Sequence, residues 1–107
     1  MSGVPQELFA ALAEPNRRQM LELLLEGDQP AGVIGEKFDL RQPTVSKHLG
    51  VLRRSGLVSV RGEAQQRWYR LEPVALRPLD DWITPYRLRW SHRLDALGDY
   101  LDTMPDE

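Results

Sequence analysis

The chain has 107 residues, of which 41% are hydrophobic, and a formal net charge of −2. A chain of this length buries one hydrophobic core, which predicts a single domain over residues 1–107 and excludes most stand-alone enzyme folds. Its lack of cysteine excludes a disulfide framework, a thiolate metal site and a cysteine nucleophile.

The N-terminal residues have no cationic stretch followed by an apolar run. No apolar segment approaches the roughly 18 residues that a membrane span needs. These two features predict a soluble cytoplasmic protein that does not contact a membrane.

The charged residues are distributed unevenly. Residues 41–70 carry seven basic side chains and one acidic side chain, whereas residues 1–40 and residues 71–107 each have four more acidic than basic groups. A positive segment in an otherwise acidic protein is typical of a surface that binds a polyanion.

Two short core helices are predicted before residue 28. The first carries Leu8 and Leu12, with Phe9 beside them, and ends before Glu14. The second begins at Pro15, because proline suits the first turn of a helix. Apolar residues at helical spacing assign both helices to packing.

A helix-turn-helix is predicted over residues 31–54. A short helix at about residues 31–37 is separated by three residues from a longer one that starts at Gln42. The second helix carries one apolar stripe, while Thr44 and Lys47 face the opposite way. Gly35, on the inner face of the first helix, allows the two helices to cross closely.

Residues 57–71 predict a β-hairpin. Two runs rich in β-branched and aromatic residues, 57–61 and 67–71, bracket a polar tip at 62–66. A helix-turn-helix followed by a hairpin is a winged helix, so the predicted fold is mainly α with a small β-hairpin. Arg61 and Arg67 flank the tip, where a wing would meet a phosphate backbone.

The last third, at about residues 74–103, predicts a long helix. Its apolar residues recur about every 3.5 positions, as in a helix that packs along another helix. They are Leu76, Leu79, Ile83, Tyr86, Trp90, Leu94, Leu97, Leu101 and Met104. This seam would reach about 43 Å, so we expect part of it to pack against a second copy. The alternative is a monomeric helical hairpin. Thr84-Pro85 leaves open whether the helix restarts or kinks there.

Three stretches resemble the ArsR family of bacterial winged-helix repressors: LAEPNRRQMLELLLEG, LRQPTVSKHLGVLRRSGLV and QQRWYRLEP. The resemblance covers about residues 8–73, and QPTVSKHLGVL is its most specific part. The segment DDWITPYRLRWSHRLDALGDYL looks like the branch of the family that lacks a metal site and includes small autorepressors. The resemblance implies a homodimer, formed through the first and last helices, that represses a promoter by binding a near-palindromic operator.

The resemblance and the helical pattern together assign two sets of residues. The expected dimer interface comprises Leu8, Leu12, Leu79, Ile83, Tyr86, Trp90, Leu94, Leu97 and Leu101. The second helix of the helix-turn-helix is the recognition helix of such proteins. Base contacts are expected from its first turns, and phosphate contacts from its end and from the wing. The expected DNA-binding residues are Arg41, Gln42, Pro43, Thr44, Ser46, Lys47, Arg54, Arg61 and Arg67.

The sequence departs from the family pattern at three positions. Arg41 replaces a serine that usually caps the recognition helix, Asp39 replaces a glycine in the turn, and Pro30 stands near a usual serine or threonine. Loss of the cap costs about 1 kcal/mol, which a contact between Arg41 and a phosphate would offset. Aspartate tolerates the left-handed backbone region better than most residues.

No metal, cofactor or catalytic site is expected. His92 and Asp95 have ligand spacing, but two ligands do not complete a tetrahedral site. His48 is expected to pack or to contact the backbone. Trp82, Tyr86 and Trp90 share a helix face that predicts a dimer core or, alternatively, the lining of a pocket for an unidentified small-molecule effector.

The sequence therefore predicts a sequence-specific transcriptional regulator that binds double-stranded DNA, a homodimeric repressor that does not sense metal. One alternative is a winged-helix module that binds protein or serves as a subunit of a transcription complex. Another, a detached dimerisation domain of a methyltransferase-like enzyme, requires catalytic sequence after residue 107 and is not favoured.

Overall fold

The computed structural model describes residues 3–103. The elements, in chain order, are α1 (Gln6–Ala13), α2 (Pro15–Leu25), β1 (Gln29–Pro30), α3 (Ala31–Phe38), α4 (Gln42–Arg54), β2 (Val58–Glu63), β3 (Gln66–Leu71) and α5 (Arg77–Asp102). A short 3-10 helix, Pro73–Leu76, leads into α5. The predicted winged-helix fold is confirmed. Within the described range, no helix is both long enough and apolar enough to cross a membrane.

The core lies between the short helices and the base of the wing. Its members share near-complete burial and come from α1, α2, α3, α4 and the sheet. The largest fully buried side chains are Met20, Ile34, Val45, Leu49, Leu52 and Leu57. Since Val45, Leu49 and Leu52 lie on one stripe of α4, the opposite face of this helix is left to solvent.

The turn between α3 and α4 depends on two small features. Asp39 adopts a left-handed conformation, with φ 51° and ψ 45°, and ends α3. A Cβ atom on Gly35 would lie 3.4 Å from Val45 Cγ2, so the two helices do cross closely at this glycine. Asp39 thus adopts the left-handed conformation that glycine would suit best, in agreement with the expectation that aspartate is tolerated at this position of the turn.

The sheet has three antiparallel strands in the order β1-β3-β2. Strands β2 and β3 are joined by a two-residue turn at Ala64 and Gln65, whose φ angles are 51° and 66°. The predicted five-residue tip at 62–66 is therefore wrong, because polar residues of an exposed hairpin continue the ladder almost to the turn. The turn lacks the Asn-Gly signal that positive φ angles favour.

Strand β1 was not predicted from the sequence. It has only two residues, Gln29 and Pro30, which pair with Tyr69 and Trp68 of β3. Proline cannot donate to a sheet ladder and is tolerated on an edge strand. A pair of residues is too short to produce a periodic signal, so only the tertiary structure reveals this strand.

Helix α5 is continuous through Pro85, which decides between the two readings of Thr84-Pro85. Thr84 Oγ1 donates a hydrogen bond to the carbonyl oxygen of Asp80, at 2.6 Å. None of the 26 residues of α5 is buried in its own chain. The N-terminal turns of α5 lie against the body of the protein, and the apolar side chains of its later turns are exposed.

Candidate nucleic-acid interface

Most of the side chains that were predicted to contact DNA lie on the solvent face of α4 or directly before this helix. These residues are all exposed: Arg41, Gln42, Pro43, Thr44, Ser46, Lys47 and Arg54. Arg41 provides no side-chain cap for α4, so the first N–H groups of the helix are free to donate a hydrogen bond to an oxygen atom of a ligand. Lys47 and Arg54 form no ion pair with the described residues.

His48 of α4 makes polar contacts with residues at the start of α2. Only 8% of its surface is exposed. Its Nδ1 accepts a hydrogen bond from Arg17 Nη1 at 3.3 Å, and its Nε2 lies 3.9 Å from Glu14 Oε2. The prediction that His48 packs is consistent with this burial, but the sequence did not indicate its two partners.

Arg17 also joins α1 to this cluster. Its Nε and Nη2 donate to the carbonyl oxygens of Ala11 and Ala10, each at 2.8 Å. These carbonyls belong to the last turn of α1, where a cation is favourable because the groups lack helical partners. One guanidinium group therefore connects the end of α1 to the recognition helix.

Glu14 completes the cluster by capping α2. Its Oε2 accepts a hydrogen bond from the backbone N–H of Arg17 at 3.0 Å. Partial desolvation acts to raise the pKa of Glu14, but this hydrogen bond and the nearby His48 and Arg17 act in the opposite direction, and the pKa is lowered overall. The carboxylate is thus stabilised in its charged form.

The two wing arginines have different surroundings. Arg61 forms ion pairs with Asp28 and with Glu63, and its guanidinium lies 5.5 Å from the centre of the Trp68 ring. Hydrogen bonds to Asp28 and then to Glu63 raise the pKa of Arg61 above its ordinary value. Arg67 is exposed and forms no ion pair with any residue in 3–103.

The predicted dimer residues fall into three groups. Leu8 keeps only 3% of its surface exposed and belongs to the core of its own chain, so it has almost no surface left for a partner. Leu12, Leu79 and Ile83 are half-buried. The exposed group comprises Tyr86, Trp90, Leu94, Leu97 and Leu101. Met104 lies outside the described residues.

Aromatic residues in the N-terminal half of α5 contact α1 and each other. Trp82 contacts Phe9 of α1 edge-on, with the ring centres 5.9 Å apart, and lies 5.3 Å from Tyr86. The sequence placed Phe9 beside core residues. In the structure its side chain is exposed and connects α1 to α5 through the contact with Trp82. Within residues 3–103 no three histidine, aspartate or glutamate side chains are grouped to hold a metal ion.

A helix-turn-helix that exposes a polar, basic face on its second helix and is followed by an antiparallel wing defines the winged-helix DNA-binding class. A family profile described as "Bacterial regulatory protein, arsR family" matches residues 14–60. The transcriptional repressor SdpR of Bacillus subtilis is 34% identical over 76 residues, which make up 71% of this chain and 84% of SdpR. The chain belongs to the arsR family and is a DNA-binding transcriptional regulator.

Two further proteins are similar to the chain. The transcriptional activator HlyU of Vibrio cholerae is 36% identical over 72 residues, which are 67% of each protein. The structure of HlyU matches with a TM-score of 0.62 over 75% of this chain and 87% of HlyU. A crystal structure of an ArsR family transcriptional regulator matches with a TM-score of 0.72 and 26% identity, over 85% of this chain and 97% of that one.

Proposed function

We propose that this protein is a homodimeric, metal-independent repressor that binds a near-palindromic operator. The observation that carries the proposal is the exposed face formed by the first turns of α4. Thr44 and Lys47 lie there on a helix whose opposite stripe is buried. In helix-turn-helix proteins these turns enter the major groove.

The side chains of this face match two kinds of DNA contact. Lys47 can donate to guanine O6 or N7, and Thr44 can contact a thymine methyl group or a base edge. Arg41, at the start of the helix, and Arg54, at its end, are placed for phosphates, because they flank the turns that would read bases. We therefore assign sequence recognition to Thr44 and Lys47.

The homodimer is proposed from the surface of α5. Leu94, Leu97 and Leu101 expose more than half of their surface on one side of a 26-residue helix. Such a helix is about 39 Å long. The other helices of the same chain are too short to cover its whole apolar side, and the later turns are exposed. A second copy would bury the same seam on both chains and would present two recognition helices to the two halves of a palindrome.

The repressor assignment rests on the similarity to SdpR, which this chain covers more fully than it covers HlyU. The first experiment is selection of genomic fragments by the purified protein, followed by titration of the recovered duplex and of a scrambled duplex. In vitro transcription from a promoter that carries the recovered site should decrease as protein is added. An increase would overturn the repressor assignment and leave DNA binding intact.

The second experiment separates base recognition from phosphate binding. We expect Lys47→Ala to weaken operator binding by about 1–3 kcal/mol and to affect the scrambled duplex much less. Arg67→Gln should weaken both duplexes alike. If neither substitution changes binding to either duplex, the winged helix does not read DNA, and a protein-binding module becomes the better interpretation.

A further inference from the structure

The outer face of the wing carries an ion-pair cluster that connects β2 and β3 to the residue before β1. Arg61 on β2 pairs with Asp28, the residue before β1, and its guanidinium lies over the ring of Trp68 on β3. Glu63, two residues further along β2, accepts a second hydrogen bond from Arg61 Nε at 3.2 Å. We call Asp28, Arg61, Glu63 and Trp68 the wing strap.

The strand register explains why these side chains meet. Arg61 is opposite Trp68, and Trp68 is opposite Pro30 on its other side. Side chains alternate between the two faces of a sheet, so Asp28, Arg61 and Trp68 share a face. The arginine side chain crosses β3 and reaches the segment that precedes β1, 33 residues away in sequence.

The other wing arginine lies on the opposite face. Arg67 is opposite Gly62, one position out of phase with the Arg61–Trp68 pair. It borders an open groove beside α3, together with Pro30, Ala31 and Glu36. Arg61 and Arg67, which look equivalent in the sequence, therefore face different sides of the wing.

The electrostatics of the two sides differ as well. The strap contains one cation and two carboxylates, so it presents a net negative charge, which disfavours the approach of phosphates. Arg67 has no acidic partner among the described residues. We propose that Arg61 is a positioning residue that holds the wing against the body through Asp28, and that Arg67 is the wing arginine that contacts DNA phosphates. The second half of this proposal rests on the proposed operator binding.

The test compares the salt dependence of binding to the recovered operator for three variants of the full chain. Arg67→Gln should flatten the slope of log K against log salt by about 2 for a dimer, because one phosphate contact is lost in each protomer. Arg61→Gln should change this slope by less than about 0.5. Arg70→Gln controls for the loss of charge, since Arg70 is exposed on the same face as Arg61 and has no ion pair in the described region. Equal flattening by Arg61→Gln and Arg67→Gln would overturn the proposal.

A charge exchange supplies an independent test. Arg61→Asp should weaken operator binding by about tenfold, because it removes the strap and adds a repulsive carboxylate. Adding Asp28→Arg restores an ion pair between the same positions and should return the affinity to within about threefold of the parent protein. Failure of this rescue would mean that Arg61 acts through its own charge.

Arg61→Lys keeps the proposal testable if the exchanged variant does not fold. Lysine preserves the charge but lacks the planar fork and the stacking surface of arginine. The strap predicts a loss of affinity of about twofold to fivefold at an unchanged salt slope. Full activity of Arg61→Lys would instead favour a phosphate contact.

Urea unfolding of the free protein separates this proposal from the proposed function. If Asp28 acts through Arg61, Asp28→Asn together with Arg61→Gln should unfold at the same urea concentration as Arg61→Gln alone, because Arg61→Gln already removes the contact that Asp28 makes. Additive shifts would overturn the strap even if the protein binds its operator. A parent protein that does not distinguish the operator from a scrambled duplex would overturn the proposed function. The urea measurement would then still test whether Asp28 and Arg61 act as a pair.

Discussion

Single side chains hold the recognition helix in place in this protein. Arg17 bonds to the last carbonyls of α1 and to His48 of α4, and Glu14 lies against the same histidine. These three residues connect the helix expected to read DNA with the helix expected to contribute to the dimer. Because the histidine accepts the bond from Arg17 at Nδ1, its proton belongs on Nε2, which faces the carboxylate.

Glu14 should make the stability of the protein depend on pH. Its pKa is lower in the folded chain than the ordinary value of 4.5, so its contribution is full above that value and is lost as the pH falls through the folded pKa. Glu14→Gln should therefore destabilise the protein at pH 6 and have a smaller effect at pH 3. Urea unfolding at both pH values measures this, with Glu22→Gln, on the exposed face of α2, as a control. An equal effect at both pH values would contradict the prediction.

Gly35 should tolerate a larger side chain poorly. A Cβ atom added there would lie 3.4 Å from Val45 Cγ2, whereas a Cβ atom added to Gly32 in the same helix would meet nothing within 4 Å. We expect Gly35→Val to destabilise the fold by about 1–3 kcal/mol and Gly32→Val to change stability by about 0.5 kcal/mol or less. Chemical unfolding of the two variants gives the comparison, and equal stabilities would mean that the helices do not limit each other at Gly35.

At the scale of elements, α5 differs most from the rest of the chain. A proline inside a helix removes one hydrogen bond and costs about 3 kcal/mol, yet α5 continues through Pro85. The helix also keeps a long apolar seam in solvent. Burial of that seam against a second copy would offset the cost of the proline, which links the continuity of α5 to the proposed dimer.

Leu94 and Leu88 provide a matched test of this seam. Both are exposed leucines of α5, at 61% and 59%, but they lie about 120° apart on the helix, and Leu88 is on the side away from the seam. Leu94→Asp should yield monomers, because an unpaired charge in a packed seam costs several kcal/mol. Leu88→Asp should remain a dimer. Light scattering at several protein concentrations measures the outcome, and a dimeric Leu94→Asp would contradict the proposed interface.

On the scale of the whole molecule, a basic segment lies between two acidic ones. Residues 41–70 include α4 and the wing, so the fold places the positive charge of an acidic protein on the two elements expected to meet DNA. A small protein of net charge −2 can thus attract a polyanion locally. Arg61 is the exception, since Asp28 and Glu63 compensate its charge.

The proposed metal independence concerns the whole molecule and has a direct test. The chain has no cysteine, and His92 with Asp95 supplies only two ligands. Operator affinity should therefore be the same with a chelator and with added zinc. A tenfold change in binding, equivalent to about 1.4 kcal/mol of coupling, would contradict the proposal. A calorimetric titration of the metal-free protein with zinc detects any zinc binding that leaves the operator affinity unchanged.

Local chemistry in the sequence determined the order of the helices and of the two hairpin strands. Pro15, the apolar stripe of α4 and the β-rich runs around residue 64 each act over a few residues, so the sequence alone predicted the elements that they define. The tight turn at Ala64–Gln65 and the two-residue strand β1 were not, because neither carries a residue-type or periodic signal.

Only the tertiary structure decided which charged and aromatic side chains meet. Arg17 and His48 are 31 residues apart, and Arg61 and Asp28 are 33 residues apart. Sequence patterns report the face on which a residue lies, but a partner in a different element depends on how the elements pack. For the same reason, Arg61 and Arg67 had identical expected roles until the strand register placed them on opposite faces of the wing.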